Sequence, residues 1–204
     1  MTTANKGFFL LKSKLTKAVQ QEILAAARAV VKQAPLFRPS MPNGQSFNYS
    51  MTSCGELGWV ADRHGYRYQQ LHPHTFKVFP AMPQVIKNLA VEVARETGND
   101  AFYPQSCLIN FYRKGEKLGL HQDNTEENKN APIISISLGD SGIFVLGGCL
   151  RTNETKPYIV QSGDVIVMGG ESRNFFHAFK GTVSNTSNLL KNGGRLNLTI
   201  RQVN

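Results

Sequence analysis

The chain has 204 residues, enough for one well-packed domain and short of two ordinary ones, and 41% of them are hydrophobic, which excludes a disordered chain. Twenty-three Lys and Arg against fourteen Asp and Glu leave a formal charge of +9, the balance of a folded protein that meets a polyanion. Apolar runs such as residues 7–11 are broken by charge well before the ~18 residues of a membrane helix, so no membrane association is expected.

Leu15, Val19, Ile23, Ala27, Val30 and Ala34 form a helical stripe that predicts a helix over residues 15–34, stopped by Pro35. Residues 37–79 gather Phe47, Tyr49, Trp59, Tyr66, Tyr68 and Phe76 among Gly44, Gly55, Gly58 and Gly65, a composition of hairpins and loops. Pro83 opens a second helix through Val85, Ile86, Leu89 and Val93, and Gly98 closes it. Beyond Tyr103 short β-like runs follow at 107–112, 133–138, 143–146, 158–161, 165–168, 175–179 and 196–200, the pattern of a sandwich or barrel. The polar stretch 180–194 is long for a compact domain and reads as a functional flap or a poorly ordered loop. Cys54, Cys107 and Cys149 are odd in number and widely spaced, which suits reduced thiols better than a disulfide framework. The N-terminus carries no convincing secretory leader, and a cytoplasmic protein is expected.

His121 and Asp123 stand two apart, so in an extended chain they point to one side and could hold one ion. His177 lies in the apolar run Phe175-Phe176-His177-Ala178-Phe179, where an imidazole needs a partner. Two His and one carboxylate leave three positions open on iron(II), as oxygen activation with a co-substrate requires. Alone, His-x-Asp is a weak signal that surface loops produce by chance, and a lone His177 is more often a satisfied core histidine. The rival pair His72-Pro73-His74 reads as an exposed turn, and His64 as loop. The run Arg195-Leu196-Asn197-Leu198-Thr199-Ile200-Arg201 alternates polar and apolar without a break, giving a strand with Leu, Leu and Ile on its core face. Its other face could be solvated, or could match a dicarboxylate, because planar Arg forks bind carboxylates bidentately and are costly to bury unpaired.

With these motifs in hand the chain resembles the AlkB family of iron(II)- and 2-oxoglutarate-dependent dioxygenases, which repair alkylated nucleic-acid bases. The resemblance runs over residues 35–204 and rests on His121, Asp123 and His177, the closing Arg195 to Arg201 strand, and Cys107-Leu108-Ile109-Asn110-Phe111-Tyr112. Cys54-Gly55-Glu56-Leu57-Gly58-Trp59, Ala131-Pro132-Ile133 and Gly169-Gly170-Glu171-Ser172-Arg173 also match. The resemblance implies a mainly β fold with flanking helices: a double-stranded β-helix (jelly roll) with an N-terminal nucleotide-recognition lid. As one domain over 1–204 it divides into a helical segment 1–37, the lid 38–80, a supporting helix 81–104 and the dioxygenase core 105–204.

By the same resemblance, His121, Asp123 and His177 bind iron(II), while Arg195 and Arg201 pair with the carboxylates of 2-oxoglutarate. Asn110, Tyr112 and Asn197 complete that pocket. Trp59 stacks on the damaged base, with Thr125 and Glu126 beside it, Tyr66 and Tyr68 lie along the nucleotide, and Arg151 meets a phosphate. Bases such as 1-methyladenine and 3-methylcytosine are cationic, so a sandwich between Trp59 and the His121 imidazole adds cation–π attraction to stacking. The implied reaction consumes 2-oxoglutarate and O2 and demethylates bases in single- or double-stranded DNA, with RNA a further candidate and a monomer the expected state.

The chain departs from the family's pattern at Thr125, where an acidic pair is common, so one carboxylate expected at the base amino group is absent. Phe176 stands where a tyrosine is common, and residues 180–194 also differ. Two rivals are weighed: a 2-oxoglutarate oxygenase of proteins or small molecules, which the charge, Trp59 and Arg151 disfavour, and a non-catalytic nucleic-acid-binding module, which retention of all five core ligands disfavours.

Overall fold

The N-terminal apolar stripe folds as α1, Lys17–Gln33, in the computed structural model, which describes residues 2–204. Thr16 caps it, its hydroxyl accepting from the Val19 amide at 3.3 Å, and Ile23, Leu24, Ala27 and Val30 form the buried face. The second helix, α2, Gln84–Glu96, follows Pro83 and buries Ile86, Leu89, Ala90, Val93 and Ala94. No helix among the described residues is long and apolar enough to cross a membrane.

In chain order the strands are β1 Thr2–Ala4, β2 Phe8–Leu11, β3 Ser50–Gly55, β4 Gly58–Asp62, β5 Gly65–Gln69, β6 Ser106–Tyr112 and β7 Leu118–His121. They continue as β8 Ile133–Gly139, β9 Ser141–Leu146, β10 Lys156–Val160, β11 Val165–Met168, β12 His177–Val183 and β13 Arg195–Arg201. A seven-stranded sheet runs β1-β2-β11-β8-β13-β6-β3, a four-stranded sheet runs β10-β9-β12-β7, and β4-β5 is a separate hairpin. From β6 onward the chain shuttles between the two larger sheets, and every pairing is antiparallel. This is the double-stranded β-helix that the resemblance implied.

Strand parity decides what lies between the sheets. On β13, Leu196, Leu198 and Ile200 pack outward with Ile23, Ala27, Ile86, Ala90 and Val93 of the helices, so the two helices cover the outer face of the large sheet. Arg195, Asn197, Thr199 and Arg201 therefore face inward and line a cavity between the sheets. A second apolar cluster, including Phe8, Ile133, Leu146, Val160, Ile166 and Phe175, packs between the two sheets.

Four features differ from the sequence expectation. Residues 8–11 add β2 to the large sheet beside β11, because Phe8 and Leu10 fill the cluster between the sheets while Leu11 joins the helix-facing one. Ser50–Gly55 pairs with β6, so this part of residues 38–80 is core sheet rather than lid; Gly55, at φ 117° and pressed against the Gln105 carbonyl, lets the chain turn out toward the hairpin. The four-residue β7 was not anticipated as a strand. Residues 180–194 are no flap: β12 runs on to Val183, and buried Asp140 pins the rest by accepting from the amides of Thr186 at 3.0 Å and Gly194 at 2.8 Å. Leu189 and Leu190 of that loop pack against the helix-facing core.

Candidate active site

His121 ends β7 and His177 begins β12, and the register pairs them directly, so antiparallel geometry alone sets the two imidazoles side by side with ring centroids 4.3 Å apart. Asp123 follows two residues on. Each histidine Nδ1 bonds a backbone carbonyl, His121 to Gly119 at 2.8 Å and His177 to Phe175 at 3.0 Å, which leaves both Nε2 atoms free. Those Nε2 atoms each lie 3.6 Å from a different oxygen of Asp123, and one ligand atom from each residue falls within 4.8 Å of the others. Burial, with His177 beside it, holds the His121 imidazole down to about 4, so it is neutral at pH 7. Burial alone would raise the Asp123 carboxyl, but the Arg201 guanidinium and His177 hold it well below the usual carboxylate range. Two imidazoles with free Nε2 atoms and one ionised carboxylate are the donor set of an open iron(II) site.

The two arginines of β13 differ in state. Arg201 is already neutralised: its Nη2 lies 2.9 Å from Asp123 Oδ1 and its Nη1 2.6 Å from Glu126 Oε1. Arg195 has no carboxylate partner among the described residues. It donates from Nη2 to Ser137 Oγ at 2.9 Å, lies over the Phe179 ring at 4.7 Å, and leaves Nε buried without a partner. Burial lowers its guanidinium to about 10, so it is a charged, anion-seeking group in the cavity wall. The expected clamp of two arginines is therefore uneven, with Arg195 the vacant cation.

Asn110 and Tyr112 of β6 share the cavity face with Arg195. The Asn110 Oδ1 is buried without a partner, and Tyr112 packs between Tyr49 at 4.8 Å and Phe179 at 4.4 Å. Asn197 lines the cavity as well, but its amide is committed, donating to Ser135 Oγ at 2.8 Å and to the Ile136 carbonyl at 3.0 Å, while its Oδ1 accepts from Thr199. These bonds tie β13 to β8 while the residue stays in the cavity wall.

At the cavity's rim Trp59 and Tyr66 stack with ring centroids 5.7 Å apart and planes 13° apart, and the Trp59 indole donates to Thr125 Oγ1 at 3.3 Å. Glu126, expected beside the base, is instead fully buried outside the cavity, ion-paired to Arg173 at 2.8 Å and to Arg201. Tyr68, expected along the nucleotide, turns its phenol to Glu126 and Arg201. Parity explains this: Tyr66 and Tyr68 share a strand face, but only Tyr66 sits toward the hairpin tip, clear of the ion cluster. Arg151 is exposed on the β9–β10 turn, its guanidinium 5.3 Å over the ring of Phe176, next to His177.

His64 is in a surface turn, as expected, but His72 is buried rather than exposed. Its Nε2 donates to the Pro35 carbonyl at 2.8 Å and its Nδ1 accepts from the amides of His74 and Thr75, so it braces a turn. The sequence reading gave no role to Arg173, Ser135 or Ser137. Arg173 is wholly buried and donates to the carbonyls of Asp123 and Ala131 as well as to Glu126. The serines were marked by their alternation with Ile134 and Ile136 in β8, the parity that also marks β13.

A family model described as 2OG-Fe(II) oxygenase superfamily matches residues 7–201. The chain is 41% identical over 182 residues to the alpha-ketoglutarate-dependent dioxygenase AlkB of Escherichia coli (strain K12), covering 89% of this chain and 84% of that protein. It is 32% identical over 219 residues to the DNA N(6)-methyladenine demethylase ALKBH1D of Arabidopsis thaliana, covering 96% of this chain and 49% of that one. The solved structure of OsALKBH1 superposes with a TM-score of 0.81 at 28% identity, over 98% of this chain and 100% of that chain.

Proposed function

Because the chain belongs to the 2OG-Fe(II) oxygenase superfamily, and within it to the AlkB family, we propose that it oxidatively removes methyl groups from ring nitrogens of nucleic-acid bases. The polymer is single- or double-stranded DNA, with RNA as a second candidate, and the protein acts as a monomer in the cytoplasm. Iron(II) with 2-oxoglutarate and O2 supplies the chemistry: the N-methyl carbon is hydroxylated and leaves as formaldehyde, while the co-substrate leaves as succinate and carbon dioxide.

His121, Asp123 and His177 would hold the iron, and their donor atoms suit it because both histidines have their Nδ1 engaged with backbone carbonyls, which leaves Nε2 to face the site, and Asp123 is kept ionised by Arg201. Arg195 would take the distal carboxylate of 2-oxoglutarate, relieving its own unpaired charge, with Tyr112 and Asn110 beside it. Arg201 acts from behind, orienting Asp123. The stacked rims of Trp59 and Tyr66 would receive the flipped base, whose positive charge in 1-methyladenine or 3-methylcytosine suits an aromatic face. Thr125 would meet the edge of that base, and Arg151 a flanking phosphate. Phe144 and Phe179 help to wall the site from water.

One observation carries the reading: a single cavity of about 220 Å³ is lined by the three metal-facing residues, by the unpaired Arg195 and by the aromatic pair Trp59–Tyr66. The test supplies iron(II) and 2-oxoglutarate with a 1-methyladenine or 3-methylcytosine oligonucleotide, its unmethylated counterpart, or a methylated peptide. Formaldehyde and succinate in equal amounts with the methylated oligonucleotides are expected. Turnover of the peptide alone would favour a protein oxygenase, and oligonucleotide binding without succinate would favour a non-catalytic module.

A further inference from the structure

Trp59 and Tyr68 stand opposite each other across the β4–β5 hairpin, so their side chains leave it on the same face. Both reach the segment just past Asp123, and they dock on consecutive residues: the Trp59 indole donates to Thr125 Oγ1 at 3.3 Å, and the Tyr68 phenol donates to Glu126 Oε1. That same Glu126 oxygen accepts from Arg201 Nη1 at 2.6 Å, whose Nη2 lies 2.9 Å from Asp123 Oδ1. From the other side Arg173 holds Glu126 Oε2 at 2.8 Å and also donates to the Asp123 carbonyl. An unbroken chain of charge-assisted bonds thus runs from the hairpin to the metal-facing carboxylate. It is buried, with Glu126 only 2% exposed, where such bonds are strong and geometrically fixed. The Tyr68 oxygen both donates to Glu126 and accepts from Arg201 Nη1 at 3.2 Å, and it lies outside the cavity, so its polar capacity is spent inside the protein.

We infer that Tyr68 is a positioning residue that latches the hairpin bearing Trp59 and Tyr66 onto segment 123–126, so that the aromatic wall and the orientation of Asp123 are set by one hydrogen-bonded body. The inference rests on the proposed stacking of a base against Trp59 for its consequence in catalysis, but the latch itself is testable without substrate. Trp59 is the sole tryptophan, so indole emission reports on this hairpin alone. Acrylamide quenching of the substrate-free protein would be compared for wild type, Tyr68→Phe and Thr125→Val, the second variant cutting the neighbouring bond without touching the ion cluster. Both should raise the quenching constant. With the loaded enzyme, Tyr68→Phe should raise KM for a methylated oligonucleotide about tenfold, the size of one lost bond to a charged group, with a smaller change in kcat. Quenching unchanged in Tyr68→Phe would overturn the latch: with KM raised, Tyr68 touches the nucleotide directly, and with KM unchanged it does neither. If no methylated oligonucleotide is turned over at all, the proposed function fails while the quenching comparison still decides the latch.

Discussion

Arg195 and Arg201 lie on the same face of one strand, yet exchanging each for methionine should move stability in opposite directions. Arg195 is buried with one neutral hydrogen-bond partner, and burial brings its guanidinium down to about 10; at ~1.4 kcal/mol per pKa unit that is a cost on the order of 3 kcal/mol to the folded protein. Methionine keeps much of the side-chain length and removes the unpaired charge, so Arg195→Met should leave the metal-free, ligand-free protein as stable or stabilise it by about 1–3 kcal/mol. Arg201→Met does the reverse. It strips the cation from Asp123 and Glu126, both buried, and should cost about 3–5 kcal/mol. Chemical denaturation of the two variants without ligand measures both signs. The co-substrate then supplies the cross-check, because losing a charge-assisted pair worth about 1.5–3 kcal/mol should raise the 2-oxoglutarate requirement of Arg195→Met roughly ten- to a hundredfold in succinate assays. Equal destabilisation by both substitutions, or an unchanged 2-oxoglutarate dependence in Arg195→Met, would refute the reading of Arg195 as the vacant cation.

Asp123→Ala should abolish formaldehyde release even with excess iron, measured against a methylated oligonucleotide, since the site loses its only anionic donor. Thr125→Asp should shift rates toward 1-methyladenine and 3-methylcytosine and away from 1-methylguanine and 3-methylthymine, whose carbonyls repel a carboxylate; a rate ratio that stays put among the four lesions would mean that position 125 does not face the base. Arg151→Ala should weaken oligonucleotides of every sequence alike and flatten the log–log salt dependence of binding by roughly one unit, read by fluorescence anisotropy. Burial lowers the pKa of His72 below its ordinary 6.5, so the unfolded chain takes up a proton that the folded one refuses. Its stabilising contribution is complete above that value and is lost as the pH falls toward the lowered one, and denaturation midpoints from about pH 7 to 5 should fall less steeply in His72→Gln.

The legible parts of the molecule were those where one periodicity governs one face. Arg195 to Arg201 alternates without a break, and parity alone places its cations in the cavity and its leucines under the helices. β7 escaped notice because its four residues carry Gly119 and only two apolar side chains; it is made a strand by pairing with β12, a partner more than fifty residues away in the chain. Residues 180–194 looked loose because Ser, Thr, Asn and Gly offer little to bury, but their backbone amides are satisfied by Asp140, a residue whose own neighbourhood in sequence gives no hint of that task. The family resemblance puts Glu126 beside the base, as the remaining member of an acidic pair, yet the side chain is buried. Its burial depends on Arg173 arriving from the turn before β12 and Arg201 from β13, and no local pattern encodes such a meeting. His72 was misjudged for a similar reason, since a His-Pro-His turn is polar in sequence while its bond to the Pro35 carbonyl is made only in three dimensions.

The central place of β13 has a consequence for how the chain is made. This strand follows the other described strands in sequence, yet it lies inside the large sheet, hydrogen-bonded to β6 on one side and β8 on the other along nearly its whole length. Until it emerges from the ribosome, β6 and β8 each present an open, largely apolar edge, the kind of edge that pairs with other chains. The nascent protein must therefore wait, partly assembled, for β13, and contacts this distant in sequence make that insertion slow. The same insertion delivers Arg195 and Arg201, so a nascent chain holding His121, Asp123 and His177 but lacking β13 has the metal-facing residues without the vacant cation. A premature stop before residue 195 would therefore yield two unsealed half-sheets exposed to aggregation and proteolysis rather than a folded but inactive enzyme.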